Sequence, residues 1–263
     1  MTSPQLTRYV SHGVTLLGDT ARPGGVTFAF TERTGGVSGA PYASLNLGGR
    51  CGDDTSRVAE NRRRVLAALG ADELAPNLVE PHQVHGDAVA VVDDAAIAAA
   101  HAGALEADAV VCGHPGVPVL LCFADCVPVV LVAPGAFAVV HSGWRGTLAR
   151  ISAKAVDVLC REARCAPAEL KAYIGPHIGG ADYEVSGELL ATFINEFGTI
   201  VRADGTASNL SLLAAIVQTL TNAGVQPCNV TDARVSTATN LERFYSYRAE
   251  EGTCGRHGAI AFL

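Results

Sequence analysis

The stretch Val119-Leu-Leu-Cys-Phe-Ala-Asp-Cys-Val-Pro-Val-Val-Leu-Val-Ala-Pro-Gly-Ala-Phe-Ala-Val-Val-His-Ser-Gly-Trp-Arg-Gly-Thr147 decides how this chain folds. Its apolar runs Val119–Phe123, Val127–Val132 and Ala136–Val140, separated by turn formers, predict three buried strands. The reactive side chains fall where strands stop: Asp125 and Cys126 after the first, His141 after the third. Ser142-Gly-Trp-Arg-Gly146 then leads into a helix. Reactive groups presented from the ends of an apolar scaffold are how enzymes build sites on rigid frames, so this stretch carries a site hypothesis as well as a core.

Working outward, Val26–Phe30, Ala88–Val92, Ala107–Cys112, Ala172–Ile174, Asn229–Thr231 and Gly258–Phe262 read as further strands. Helices are predicted over Ser56–Leu69, capped by Asp54 or Thr55 and stopped by Gly70, and over the alanine-rich 94–105. Others are predicted over Thr147–Ala163, Gly187–Phe197 behind Ser186, and Asn209–Ala223 behind Ser208. Residues 1–25 give no pattern that fixes their order. No repeat, low-complexity segment or linker divides the chain, and strands and helices are interspersed without strict βαβ alternation. The expected fold is one mixed α/β (α+β) domain over 1–263, with mixed β-sheets covered by helices.

At 263 residues, with 49% hydrophobic and 17% charged residues, the chain can bury a sizeable core. A net charge of −7 argues against nucleic acid or an acidic membrane surface as partner, though not against a small phosphate-bearing substrate. The eight cysteines lack a CxxC pair or regular framework and read as reduced thiols. With no apolar leader or spanning run, a cytoplasmic location is expected.

Several residues carry chemistry. Arg62 falls inside the apolar stripe of the helix over 56–69, four residues after Val58 and three before Val65; it is either a structural ion pair or an anion clamp facing a pocket. His85, Cys126 and His141 together make a three-ligand set with a fourth position open, as in catalytic zinc sites. The same residues also fit a buried cysteine beside two unrelated histidines. Without a metal, Cys126 as nucleophile with His141 as base would make a cysteine hydrolase. A nucleotide-sensing module without turnover is a further class.

The segments Ser44-Leu-Asn-Leu-Gly, Glu60-Asn-Arg62, Gln83-Val-His-Gly86, Ala124-Asp-Cys-Val-Pro128, His141-Ser-Gly-Trp-Arg-Gly146, Ile174-Gly-Pro and Phe244-Tyr-Ser-Tyr-Arg248 resemble, in order, the YfiH family. It is also called the laccase-domain or multicopper polyphenol oxidase family, and the resemblance runs from about Thr27 to the C-terminus. It implies a metal held by His85, Cys126 and His141, in a pocket lined by Asn46, Arg62, Asp125 and Arg145. Two positions depart from the family pattern: Ser236 stands before Thr237 where a cysteine is frequent, and Ala249 follows Arg248 where a second arginine is frequent.

The resemblance implies two chemistries. A copper-dependent polyphenol oxidase with a four-copper relay needs many histidines, whereas this chain has eight and no His-x-His pair. Its single methionine, Met1, does not supply the usual axial ligand of a blue copper, so copper (Cu2+) is the alternative metal. The other implied chemistry is that of zinc-dependent (Zn2+) purine nucleoside enzymes. They phosphorolyse adenosine, inosine and methylthioadenosine to free base and ribose 1-phosphate, and also deaminate adenosine. Arg62 and Arg145 are then expected to hold phosphate, and Asp125 to shuttle protons in deamination or fix a histidine. Trp144, the only tryptophan, is expected either to stack on a base or to pack in the core.

Overall fold

The computed structural model describes residues 3–203 and 208–263. The strands before the central stretch are β1 (Thr7–Ser11), β2 (Val14–Gly18), β3 (Thr27–Thr31), β4 (Val89–Val91) and β5 (Ala109–Cys112). The central stretch itself forms β6 (Val119–Phe123), β7 (Val127–Ala133) and β8 (Ala136–Ser142). After it come β9 (Lys171–Ile174), β10 (Val230–Asp232) and β11 (His257–Phe262). The helices are α1 (Thr55–Ala68), α2 (Asp94–His101), α3 (Trp144–Leu148), α4 (Ile151–Ala163), α5 (Gly187–Phe197) and α6 (Leu212–Asn222). One sheet runs β1-β2-β3-β11-β6 and is antiparallel throughout. The other runs β10-β9-β7-β8-β5-β4, with parallel pairs only at its two edges.

The period of two along a strand sorts the side chains of β7 into two cores. Val130 and Val132 meet Phe28, Phe30, Leu121 and Phe123 in the seam between the sheets. Val127, Val129 and Leu131 point the other way, against Val156 and Leu159 of α4 and Ile216 and Leu220 of α6. On the far face of the first sheet, Leu16, Leu120 and Ile260 lie under Val65 and Leu66 of α1. The layers are therefore helix, sheet, sheet, helices. Strands covered on both faces read as continuous apolar runs rather than alternating ones, as the central stretch does.

This layering creates the site. β6 belongs to one sheet and β7 to the other, so Ala124-Asp125-Cys126 crosses from sheet to sheet at the open end of the sandwich. Asp125 takes a positive φ of 88° in that crossing.

Three sequence expectations change. Residues 7–18, within the segment without a clear pattern, form a β-hairpin. Its two-residue loop, His12-Gly13, has φ of 48° and 77°, the mirror-turn backbone whose twist matches the strands. The helix expected over 147–163 is two helices, because Arg150 adopts a left-handed φ of 57° between α3 and α4. The helix expected from Asn209 starts at Leu212, where Ser211 accepts the N–H of Ala214. Asn209 and Leu210 instead bridge to Glu184 and Arg202.

Candidate metal centre

His85, Cys126 and His141 converge: their ligand atoms lie within 4.8 Å of one another. They come from a turn, the sheet crossing and the end of β8. His85 is exposed, Cys126 half-buried and His141 buried, so the set forms the wall of a cavity of about 630 Å³. Phe123, at the end of β6, packs its ring 5.4 Å from that of His141.

One carboxylate builds this arrangement. Asp108 is fully buried beside His141, whose Nδ1 lies 2.7 Å from Asp108 Oδ1. Facing a carboxylate, that nitrogen donates, and Nε2 is left for a metal. The same carboxylate accepts the backbone N–H groups of Val84 (3.2 Å), His85 (3.0 Å) and Gly86 (2.7 Å). These bonds shape the turn on which His85 adopts a φ of 59°. Asp108 thus orients one histidine through its ring and the other through its backbone. Sequence reading passed over it; the available signal was a lone acid in an otherwise apolar strand, Ala107-Asp-Ala-Val-Val-Cys112.

The donor set fits a metal. One sulfur and two imidazoles suit zinc or copper and leave an open coordination position. Space is kept for an ion as well: a Cβ on Gly143 would lie 3.2 Å from Cys126 Sγ, 3.3 Å from His85 Cδ2 and 3.9 Å from His141 Cε1. Without metal, burial would raise the Cys126 thiol, but the neighbouring imidazoles outweigh it and hold the sulfur as thiolate. Burial would likewise lower His141, but the Cys126 thiolate and Asp108 outweigh it and raise it. The charge separation on these groups is what a cation would replace.

Replacing Asp108 by Asn should weaken metal affinity by about 10–100-fold while the chain stays folded, since both histidines lose their fixed orientation. Competition with a chromophoric chelator measures this; an unchanged affinity would make Asp108 a packing residue only.

The other expected site residues fall in two groups. Asp125, Trp144 and Arg145 line the cavity. Both oxygens of Asp125 are engaged, Oδ1 by the Thr237 hydroxyl at 2.6 Å and Oδ2 by the Arg248 N–H at 2.7 Å. Arg145 lies over the ring of Trp144, 4.3 Å from its centroid. Asn46 and Arg62 are not cavity-lining residues. Asn46 is fully buried and ties its loop together, donating to Asp53 at 3.0 Å and accepting the Arg256 N–H at 2.8 Å. Arg62 donates to the Leu47 carbonyl at 2.7 Å and to Glu80 Oε1 at 2.5 Å; Glu80 is itself on the cavity wall. Ser236, at the family departure, accepts the Gly179 N–H at 3.0 Å and donates to Asp182 at 2.5 Å.

Four arginines border the cavity: Arg50, Arg145, Arg248 and Arg256. Among the described residues, none of them pairs with a carboxylate. A rim of uncompensated guanidinium groups on a chain of net charge −7 is built for an anion. Tyr183 and Tyr247 add aromatic surface, with Arg248 over the former and Arg256 over the latter. Among the described residues, no helix is long and apolar enough to cross a membrane.

The family described as "Multi-copper polyphenol oxidoreductase laccase" matches residues 27–263. The purine nucleoside phosphorylase of Deinococcus radiodurans is 39% identical over 243 residues, which cover 90% of this chain and 89% of that protein. The purine nucleoside phosphorylase YfiH of Escherichia coli K12 is 34% identical, covering 92% of this chain and 96% of its own. Among solved structures, YlmD from Geobacillus stearothermophilus superposes with a TM-score of 0.88 at 30% identity, covering 98% of this chain and 99% of that one. The Bacillus licheniformis protein YfiH gives 0.86 at 29%, covering 96% and 97%. With these matches, the chain belongs to the YfiH, or laccase-domain, family.

Proposed function

We propose that this protein is a zinc-dependent purine nucleoside phosphorylase. The observation that carries the reading is the joining, in one cavity, of a three-donor metal set with arginines that lack carboxylate partners. Relatives named purine nucleoside phosphorylase support it. In the reaction, an oxygen of inorganic phosphate bonds to C1′ of the ribose, the bond from C1′ to the purine nitrogen breaks, and the base leaves with a proton from solvent.

A zinc ion held by His85, Cys126 and His141 would supply a fixed positive charge that orients an oxygen ligand. The chain's own residues do the rest. Arg145, with Arg248 from the same cavity lining, holds the phosphate by charge-assisted bonds and fixes it for attack. Trp144, Tyr183 and Tyr247 offer faces for the purine. Asp125 clamps Thr237 and the backbone of Arg248, which positions the rim. Arg62 acts through Glu80 rather than on phosphate.

Adenosine deamination ranks second, because Asp125, the acid expected to shuttle its protons, has both oxygens engaged by protein donors. Phenol oxidation with a single copper is the alternative. A four-copper relay lacks ligands, since among the described residues only this one cluster could hold a metal. A metal-free hydrolase draws support from the Cys126–His141–Asp108 order, but it gives the second imidazole, His85, no task.

The test is one preparation assayed for zinc and copper and then for adenine release from adenosine with and without phosphate. Zinc near one per chain and release only with phosphate are expected. Copper with oxygen uptake on phenols and no nucleoside turnover would overturn the reading. Arg145→Ala should raise the KM for phosphate by about 10–100-fold, as loss of one charged hydrogen bond predicts. Arg62→Ala should leave phosphate dependence unchanged and zinc in place.

A further inference from the structure

The cavity is rich in charged donors and poor in carboxylate acceptors. Its four arginines only donate, and the side-chain amide of Gln83 is engaged on both sides, accepting the Cys122 N–H at 2.8 Å and donating to the Cys122 carbonyl at 2.9 Å. Two carboxylates reach the wall, Asp125 and Glu80. Asp125 has both oxygens engaged by protein donors. Glu80 accepts Arg62 at 2.5 Å on Oε1 alone, and among the described residues Oε2 has no hydrogen-bond partner in the protein. Arg62, anchored on the Leu47 carbonyl, holds that carboxylate in place from behind. The side chain of Glu80 is 26% exposed on the cavity wall.

A nucleoside is a neutral ligand whose sugar presents hydroxyl donors. We infer that Glu80 Oε2 is the ribose acceptor of this site, taking a hydrogen bond from the 2′,3′-diol, and that Arg62 is its positioning residue. The assignment rests on the nucleoside reading above. The sugar is favoured over the base because the groups placed directly at Glu80 are non-aromatic: Pro81 follows it in the chain and Cys122 Sγ lies 3.9 Å from its Oε1. The aromatic faces, by contrast, come from Trp144, Tyr183 and Tyr247. A hydroxyl bonded to a buried or half-buried carboxylate is worth a charged hydrogen bond, and a ligand that lacks it leaves the acceptor unpaired.

The experiment compares adenosine, 2′-deoxyadenosine and 3′-deoxyadenosine, with phosphate, on the zinc-loaded wild type, Glu80→Gln and Arg62→Gln. The wild type should prefer adenosine over at least one deoxy analogue by about 10–100-fold in kcat/KM. In Glu80→Gln the loss should fall on adenosine and leave that analogue within about threefold, so the preference collapses. Arg62→Gln, which keeps the acceptor but removes what holds it, should narrow the preference to a value between those of the wild type and Glu80→Gln, whereas a merely structural ion pair would change all three nucleosides alike. No preference in the wild type, or an equal loss on all three nucleosides in Glu80→Gln, would overturn the assignment. If the wild type turns over none of them, the phosphorylase reading fails. Calorimetric binding of the same three nucleosides then decides Glu80: selective loss of adenosine affinity in Glu80→Gln sustains it, and absence of binding to any of them removes it.

Discussion

Cys126→Ala and His141→Ala should each lose bound metal and nucleoside turnover together, metal falling from about one per chain to a trace and turnover by roughly 10²–10³-fold or more. Both residues sit on the same three-donor face, and removing either leaves two donors, too few to hold an ion against water. These two variants alone do not separate metal catalysis from a cysteine nucleophile, because Cys126, His141 and Asp108 also stand in nucleophile–base–carboxylate order. His85→Ala does separate them. It removes a metal ligand but leaves the sulfur, its partner imidazole and Asp108 in place. Loss of metal and turnover in His85→Ala supports the metal reading; full turnover without metal would establish the nucleophile. Elemental analysis and a phosphate-dependent assay on the three variants decide between them.

The difference between what the sequence discloses and what it hides is physical. Strands buried on both faces announce themselves as apolar runs, so β6, β7 and β8 are readable from composition along the chain. What is not readable is that β6 and β7 belong to different sheets, because no local signal distinguishes a tight turn from a crossing between layers. The hairpin over 7–18 escapes for another reason. One strand, Thr7–Ser11, is mostly exposed at a sheet edge and has weak alternation, although His12-Gly13 marks its turn. The three candidate donors are legible because the family motifs single them out from eight cysteines and eight histidines, and the fold brings them together. Their support is less so. Asp108 is an acid inside an apolar strand, a pattern that needs the partner positions 84–86 and 141 before it means anything. Arg62 shows the limit of periodicity. Its place in the helical stripe correctly turns it inward, but which group it meets depends on Glu80, eighteen residues away in the chain. The arginine rim is likewise assembled from segments near 50, 145, 248 and 256 that only the fold brings together.

Stability toward acid should be governed in good part by His257, a residue outside the metal set. It opens β11, is fully buried, and its ring lies 6.4 Å from that of Phe123 and 5.5 Å from that of Phe244. Neither ring nitrogen makes a hydrogen bond of good geometry among the described residues, and only a weak approach to the Pro176 carbonyl is available to the ring. Burial disfavours the charged form and lowers His257 to about 3; the Pro176 carbonyl opposes this, and the charges of Arg256 and Arg33 add to it. The unfolded chain takes up this proton near the ordinary histidine value of about 6.5, whereas the folded chain refuses it until far lower pH. Stability is therefore intact above about 6.5 and lost as pH falls toward the folded value, by roughly 1.4 kcal/mol per pH unit from this group, up to about 5 kcal/mol in all. His257→Leu, which cannot titrate, should show a shallower decline between pH 6 and 4 by about that slope. Urea unfolding across this range, with chelator present throughout so that metal loss does not contribute, measures the difference. Parallel curves for wild type and variant would mean that His257 is protonated in the fold or solvated by an ordered water, and that acid lability comes from elsewhere. A selective flattening would identify His257, packed between the rings of Phe123 and Phe244 in the seam of the two sheets, as a group whose protonation drives acid unfolding.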